Sequence, residues 1–444
     1  MKSALLSAVL ALSACQGAVG TFSIELITAP GSDVMDDVVL ARLTLTDPLT
    51  IAEADRVDGG FTFDIEVSAG GQNAFLLFEG FDAANQLIAS GRTGPLPIAA
   101  FDDDLRLFVA APRSLSEAPM SLDPPRSELG AARLSFGVLL AGGRNAAGEP
   151  TDDLVVYSLY DHQLRTGAPL PAPRANMTAL TAALGQVLLF GGDDPAGQPS
   201  ELLWRFDSNT APAGSYLGLA SNPELARSGA RGAPISNTGF VVLGDPMVFI
   251  DNLSGRAQAL PDAMPMNGTI TSVVINDMVY TLIAGDEAGD IGAVLLVNGV
   301  FNTLTDAPVE IDRTGHGAVV LANGDILVVG GATAGGLETS GIRFAPATRV
   351  FTTFGDLLAT PRNDAAIAAT RELVIVAGGT DVNGDLVTDA EVFSADDLTR
   401  LATVPMVVPR TRASAEPMAN GQVLIAGGID ATGAPVGTIE LLTP

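Results

Sequence analysis

Residues 322–331 read ANGDILVVGG, and residues 419–428 read ANGQVLIAGG. Two strings so alike, about a hundred positions apart, raise the question of weaker copies elsewhere. Aligning on the first glycine of each Gly-Gly or Gly-Asp that ends an apolar run gives seven: VLLAGG (Gly142), VLLFGG (Gly191), FVVLGD (Gly244), YTLIAGD (Gly285), ILVVGG (Gly330), LVIVAGG (Gly378) and VLIAGG (Gly427). Their spacings are 49, 53, 41, 45, 48 and 49 residues. A period in this range marks an architecture built from one supersecondary unit per repeat.

A second marker runs in phase. Arg126, Arg174, Arg227, Arg313, Arg362 and Arg410 stand 16 or 17 residues before their glycines, while the fourth repeat has Asn267 near that place. Beyond the glycines comes a turn, with Gly148, Gly197, Gly384 or Gly433 five places after the second marker glycine, and then a hydrophobic strand. A further short strand leads to the next arginine. Each repeat thus reads as four short strands. One such sheet cannot bury both faces, but stacking it between copies of itself can. The glycines suit close approach and unusual torsions near the axis of such a stack.

These repeats resemble kelch repeats over residues 113 to 444. The resemblance implies an all-β, seven-bladed β-propeller with one four-stranded blade per repeat. Blades would start near residues 126, 174, 227, 267, 313, 362 and 410. This chain departs from the family pattern in using aliphatic residues or Phe where aromatics are expected, and Gly-Asp in repeats three and four. The seventh repeat ends at GTIELLTP with no fourth strand, whereas RSLSEAPMSLDPPR before Arg126 reads as a strand without a sheet. Residues 113–118 are therefore expected to pair with residues 438–442 and close the last blade, leaving no open edge.

The first residues, MKSALLSAVLALSACQG, give one positive charge at Lys2, an apolar run from Ala4 to Ala14, and a cysteine. The run has the length of a signal peptide and is too short for a membrane span. LSAC, ending at Cys15, resembles the bacterial lipobox. The resemblance implies cleavage after residue 14, a diacylglycerol and acyl chains on Cys15, and a lipid-anchored protein of the bacterial cell envelope. Gln16 in place of Asp implies outer-membrane delivery. Cys15 is the chain's one cysteine, so no intrachain disulfide can form.

Residues 15–112 carry this lipidated end and a domain without the repeat. FSIELIT, VVLARLTLT, FTFDIEVS, AFLLFEGFD, QLIASGRT and LRLFVA alternate as strands, with DAAN as a hairpin turn. Six short strands fit a small antiparallel β-sandwich of immunoglobulin-like shape, although no Cys-Trp-Cys pattern carries that label. It would serve as a stalk.

The 444 residues include 49 Gly and 28 Pro, the turn density of short-stranded proteins, and carry a formal net charge of −28. That charge repels nucleic acid and anionic lipid. Two histidines, His162 and His316, cannot build a multi-His metal site. Kelch copper radical oxidases need a Tyr–Cys cross-link and His ligands, which these residues cannot supply. Bacterial sialidases carry Ser-x-Asp-x-Gly-x-Thr-Trp turns, and none occurs here. DVNGDLVTDAEV imitates a calcium loop through Asp381, Asn383 and Asp385, but Leu386 replaces the turn glycine and Val392 the bidentate Glu. Asp102 to Asp104 read as a solvated turn between domains.

The remaining constellation is the arginine set. Placed at one mouth of a propeller, six guanidiniums would form a candidate multidentate site for an anionic ligand. The competing reading pairs each with an acid on the same rim: Asp193 or Asp194, Asp286, Asp381 and Asp430. The sequence thus points to a membrane-anchored, noncatalytic binding or scaffold protein for a protein, peptide or glycan, with no cofactor and no nucleic acid. The alternatives are a carbohydrate-active enzyme, epimerase- or lyase-like, working in the channel, and a purely structural envelope protein.

Overall fold

The computed structural model describes residues 6–14, 18–47, 49–57, 60–63, 74–95, 105–182, 185–211, 213–236, 238–252, 254–260, 268–285 and 293–444. Cys15, Asp102–Asp104, Asn267 and Asp286 lie outside them. The chain is all-β. Among the described residues helix is confined to Gly185 and two short 3-10 turns, Pro223–Leu225 and Val309–Ile311.

From Gly130 onward the described strands form a succession of seven antiparallel sheets, each ordered as in the chain. Their first strands are Gly130–Leu134, Thr178–Thr181, Gly232–Ser236, Thr269–Ile275, Thr314–Val320, Ala366–Ala369 and Ser414–Pro417. Each first strand contacts the next, and Ser414–Pro417 contacts Gly130–Leu134, so the series closes on itself. Six sheets have four consecutive strands, the fifth with a two-residue addition, Gly336–Leu337. The seventh has three and takes its fourth from far upstream. Leu115–Glu117 pairs antiparallel with Glu440–Leu442, in the register Leu115↔Leu442, Ser116↔Leu441 and Glu117↔Glu440.

The unbroken apolar runs before the glycines follow from this stacking. A strand covered on both faces needs no polar alternation, since its two sets of side chains enter two different cores. In Gly137–Ala141, Val138 and Leu140 pack with Leu424 and Ala426 of the seventh sheet, whereas Leu139 and Ala141 pack with Val187 and Leu189 of the second. Sheets six and seven meet in the same way through Ile375, Ala377, Val423 and Ile425.

The N-terminal unit has two sheets. One orders its strands Leu49–Asp55, Leu40–Thr46, Leu76–Phe81 and Leu87–Arg92, all antiparallel. The other holds Leu6–Ala14, Ala18–Ile27 and Leu105–Phe108. Ile24, Leu43, Phe61, Phe78, Leu105 and Leu107 share one buried core. The expectation of a wholly antiparallel unit fails at one place: Ala18–Ile27 and Leu105–Phe108 run parallel, from Ile24↔Leu105 to Ile27↔Phe108. The long excursion between them allows a parallel return, which alternation alone cannot distinguish from an antiparallel one. Leu49–Asp55 was not expected as a strand, and in the described part of FTFDIEVS, residues 61–63, Phe61 and Phe63 are buried and Thr62 is exposed, without the stretch being a strand.

Candidate functional site

In the closed series, the arginines, the glycines and the turns after them lie at one mouth, and the hairpins joining first to second and third to fourth strands lie at the other. The arginine set does not present itself at the open mouth. Arg126, Arg174, Arg227, Arg313, Arg362 and Arg410 are all buried, with exposures of 2, 1, 8, 1, 0 and 1%. Their guanidiniums turn inward to main-chain carbonyls at the ends of their own sheet's second and third strands. Arg126 Nη1 donates to the carbonyls of Gly142 at 2.7 Å and Asp153 at 2.9 Å. Arg410 Nη1 donates to Gly427 and Thr438 at 3.2 and 2.7 Å, and Arg313 Nη1 to Gly330 and Ser340 at 3.1 and 3.0 Å. Arg174 reaches the Gly191 carbonyl at 2.9 Å. Arg227 donates to the Leu243 and Pro246 carbonyls. A ligand at the surface would not meet these groups.

For Arg362 and Arg410 charge compensation comes from inside the sheets, whereas the rim acids Asp194 and Asp193 act on Arg174. Arg362 Nη2 lies 2.9 Å from Glu391 and 3.0 Å from Asp389, and Arg410 Nη2 lies 2.6 Å from Glu440. Glu391 and Glu440 are fully buried on third strands, each twelve residues past the second marker glycine (391 − 379 and 440 − 428). They also accept main-chain N–H groups of the incoming loop: Ala359 and Thr360 on Glu391, Val407 and Val408 on Glu440. In the second sheet the same offset (204 − 192) places Trp204, and the Arg174 guanidinium lies 4.2 Å from the centre of that ring. Burial lowers Arg174 to about 10, partly offset by Asp194 and Asp193, so it stays charged at neutral pH. Burial likewise lowers Arg410, opposed by Glu440.

The rim acids serve their own turns. Asp381 Oδ1 accepts from the N–H groups of Asn383 and Asp385 at 2.8 and 3.0 Å. Asn145, Asp194 and Asp430 repeat that pattern in their sheets, as does Asp82 in the DAAN hairpin. The calcium-like stretch is therefore one copy of a recurrent hairpin turn, whose first side chain is spent on the backbone. Asp193 instead pairs with Arg144 at 3.1 Å. Among the described residues no three His, Cys, Asp or Glu side chains gather to hold a metal ion. His162 Nδ1 lies 3.0 Å from the Tyr157 hydroxyl, and His316 Nε2 lies 2.8 Å from Thr269 Oγ1; both imidazoles are buried.

The mouth has a feature the sequence reading missed. Two residues after each marker arginine the chain turns left-handed: Glu128, Asn176, Gly229, Gly315, Asp364 and Arg412 have φ of 51, 52, 60, 63, 52 and 55°. Main-chain bonds link them around the mouth. Asn176 N–H donates to Glu128 at 2.8 Å, Gly229 to Asn176 at 3.1 Å, Asp364 to Gly315 at 2.9 Å and Arg412 to Asp364 at 3.0 Å. The mixture of Glu, Asn, Gly, Asp and Arg hides the position, because what recurs is a backbone conformation rather than a residue type. Beside this circle a groove of about 490 Å³ opens between sheets six and seven, lined by Asn363, Asp364, Asp385, Arg412 and Asp430 among others. Arg412 is largely exposed and pairs with Asp364 at 3.3 Å.

No protein-family model matches the chain, and neither does any curated protein.

Proposed function

We propose that the chain is a lipid-anchored protein of a bacterial envelope that presents a seven-bladed, kelch-like β-propeller and binds a polypeptide segment at the groove between the sixth and seventh blades. The propeller reading is supported by the cyclic contact of successive first strands and by the fourth strand borrowed from Leu115–Glu117. The anchor rests on the lipobox-like LSAC at residues 12–15. The observation that carries the binding reading is the groove itself. It is open, polar and bordered by main-chain turns, with Arg412 and Asp385 on its walls and no aromatic ring among its lining residues. Such a lining offers hydrogen bonds and charge to a peptide and no flat platform to a sugar ring. Of the six buried arginines, Arg362 and Arg410 act as latches within the two sheets that wall the groove.

The test is capture by the immobilised mature chain from a panel of unstructured peptides, beside a twin carrying Asp385→Arg and Arg412→Glu. Both changes lie on the groove wall, and the twin should keep its thermal transition. Peptides held by the parent and released by the twin support the reading. Equal capture by both moves the binding elsewhere, and saturable turnover of a small molecule overturns it.

A further inference from the structure

The N-terminal unit meets the series of sheets only on the side away from the groove, among the described contacts. Asn420, in the first hairpin of the seventh sheet and fully buried, donates from Nδ2 to the Arg92 carbonyl at 3.2 Å. Tyr160, in the second hairpin of the first sheet, donates from its hydroxyl to the Pro95 carbonyl at 2.9 Å. Arg92 also reaches Glu372, in the first hairpin of the sixth sheet, at 3.4 Å. All three are hairpins at the mouth opposite the arginines. Between these polar contacts the join is apolar and close. Phe108 and Ala110 enter the same buried cluster as Leu129, Val138, Leu159 and Leu441. A Cβ on Gly94 would fall 2.3 Å from Leu159 Cδ1 and 3.0 Å from Tyr160 Cε1, so a methyl group there requires these side chains to shift.

Two further observations bear on rigidity and direction. The connection from this unit to the closing strand is held by hydrogen bonds. The Arg113 N–H donates to the Thr443 carbonyl at 2.9 Å, the Thr443 N–H to Ser114 at 3.1 Å, and Ser114 Oγ to Ala111 at 2.6 Å. The strand Ala18–Ile27 ends against the sheets, where Ile27 packs on the cluster of Phe108 and Leu129. Its other end begins three residues after Cys15. Nine steps at about 3.3 Å per residue separate the two ends by roughly 30 Å.

We propose that the N-terminal unit is a rigid bracket, clamping the first and seventh sheets where the series closes, so that the groove and Ala18, the start of the strand that follows Cys15 in the sequence, lie at opposite ends of the described structure. The inference rests on the lipid-anchored reading only for what lies at that end. With Cys15 acylated, the groove faces away from the membrane that carries the protein. Its occupant is then a polypeptide arriving from the aqueous side or from a facing surface, not one embedded beside the anchor. A flexible stalk would leave both mouths accessible from every direction.

Cys15 is the chain's one cysteine, so added cysteines give unambiguous labels. The first measurement uses unlipidated full chain with spin labels on Cys15 and on either Ala431→Cys, in an exposed turn on the groove side, or Asp396→Cys, in an exposed hairpin on the other side. The bracket requires two narrow distance distributions, the one to residue 431 longer. Broad or equal distributions overturn it. Gly94→Trp, which must push the join apart, should broaden both. The second measurement uses lipidated chain in phosphatidylethanolamine–phosphatidylglycerol vesicles with an acceptor lipid, and a donor dye on the single free cysteine. Transfer should be strong from residue 396 and weak from residue 431, and the reverse order overturns the orientation. Failure of the chain to float with the vesicles removes the anchor and leaves the spin-label distances to judge the bracket.

Discussion

A Cβ on Gly427 would lie 3.1 Å from the carbonyl oxygen of Arg126, although 301 residues separate the two (427 − 126). The same relation runs between neighbours at five further marker glycines, while Gly244, before the repeat that lacks the arginine, lies against its own sheet's Arg227 instead. Cβ atoms on Gly142, Gly191, Gly285, Gly330 and Gly378 would approach the carbonyls of Arg174, Arg227, Arg313, Arg362 and Arg410 at 2.2, 2.8, 2.4, 3.0 and 2.2 Å. The second glycine completes the contact: Gly143, Gly192, Gly331 and Gly379 donate their N–H to the same arginine carbonyls at 2.8, 2.8, 2.8 and 3.0 Å. Glycine and arginine keep phase in the sequence because each of these glycines seats the arginine of the next sheet.

Gly378→Ala should therefore cost far more than Gly384→Ala. Both residues are left-handed, at φ 60 and 83°, and alanine pays about 1–2 kcal/mol in that region. At Gly384 nothing lies within 4 Å of the added methyl, so that is the whole effect. At Gly378 the methyl also meets the Arg410 carbonyl, and the overpacking adds about 1–3 kcal/mol. Urea midpoints compare the two directly, and equal losses would mean that the close approach is not a structural requirement.

Removing the charge at Arg410 should be costlier than removing it at Arg126. Arg410→Gln strands Glu440, which has no exposure, and breaking one side of a buried pair costs about 3–5 kcal/mol. Glu440→Gln in the same chain should return part of that loss, since its amide no longer needs a cation. Among the described residues Arg126 hydrogen-bonds to carbonyls alone, with Asp153 acting on it through charge and no buried carboxylate paired to it, and its loss should cost about 1–3 kcal/mol. Chemical denaturation of the three variants checks the order, and recovery absent from the double variant would refute the pairing.

How much of this was readable beforehand depends on whether a constraint selects a residue type. The glycines were legible because only glycine fits beneath an arginine carbonyl. The closing pair, Leu115–Glu117 with Glu440–Leu442, was legible because a strand without a sheet faced a sheet without a strand. The partners of the arginines were not, because Glu391, Glu440 and Trp204 meet one need with unlike side chains at one offset. The rim acids misled because an aspartate at a turn looks the same whether it serves a neighbour or its own backbone. The left-handed circle at Glu128, Asn176, Asp364 and Arg412 leaves no common letter at all.

The histidines and Glu416 should give stability opposite pH slopes. Burial lowers His162 to about 4, with Asp161 opposing and Arg106 adding, and burial lowers His316 to about 3 with Arg313 and Arg231 adding. Both bind their proton more tightly when unfolded, near 6.5. Their stabilising contribution is complete above that value and is lost as pH falls from about 6.5 towards 4, on the order of 3 kcal/mol for His162. Burial raises Glu416 to about 7, opposed by Arg133, so the folded chain holds that proton better than the unfolded one. Its contribution is present below about 4.5 and is lost as pH rises through 7. His162→Gln should flatten the acid limb, and Glu416→Gln should stabilise the chain at pH 8 without effect at pH 4. An acid limb unchanged in His162→Gln would remove the first assignment.

Trp204 is the chain's one tryptophan, is buried, and receives the Arg174 guanidinium at 4.2 Å, so its fluorescence reports one latch alone. Arg174→Gln should change the native emission of Trp204 while leaving it shielded from acrylamide, because the cation leaves and the apolar packing stays. Arg126→Gln, one sheet away, should leave that emission unaltered. In a double-mutant cycle, Arg174→Gln with Trp204→Leu should show a coupling of about 1–2 kcal/mol, the range of a desolvated cation over an indole. Arg126→Gln with Trp204→Leu should couple by less than about 0.5 kcal/mol, as distant pairs do. Additive behaviour in the first cycle would mean that Arg174 is held by the Gly191 carbonyl alone, and that the tryptophan at this offset does not substitute for the glutamates of sheets six and seven.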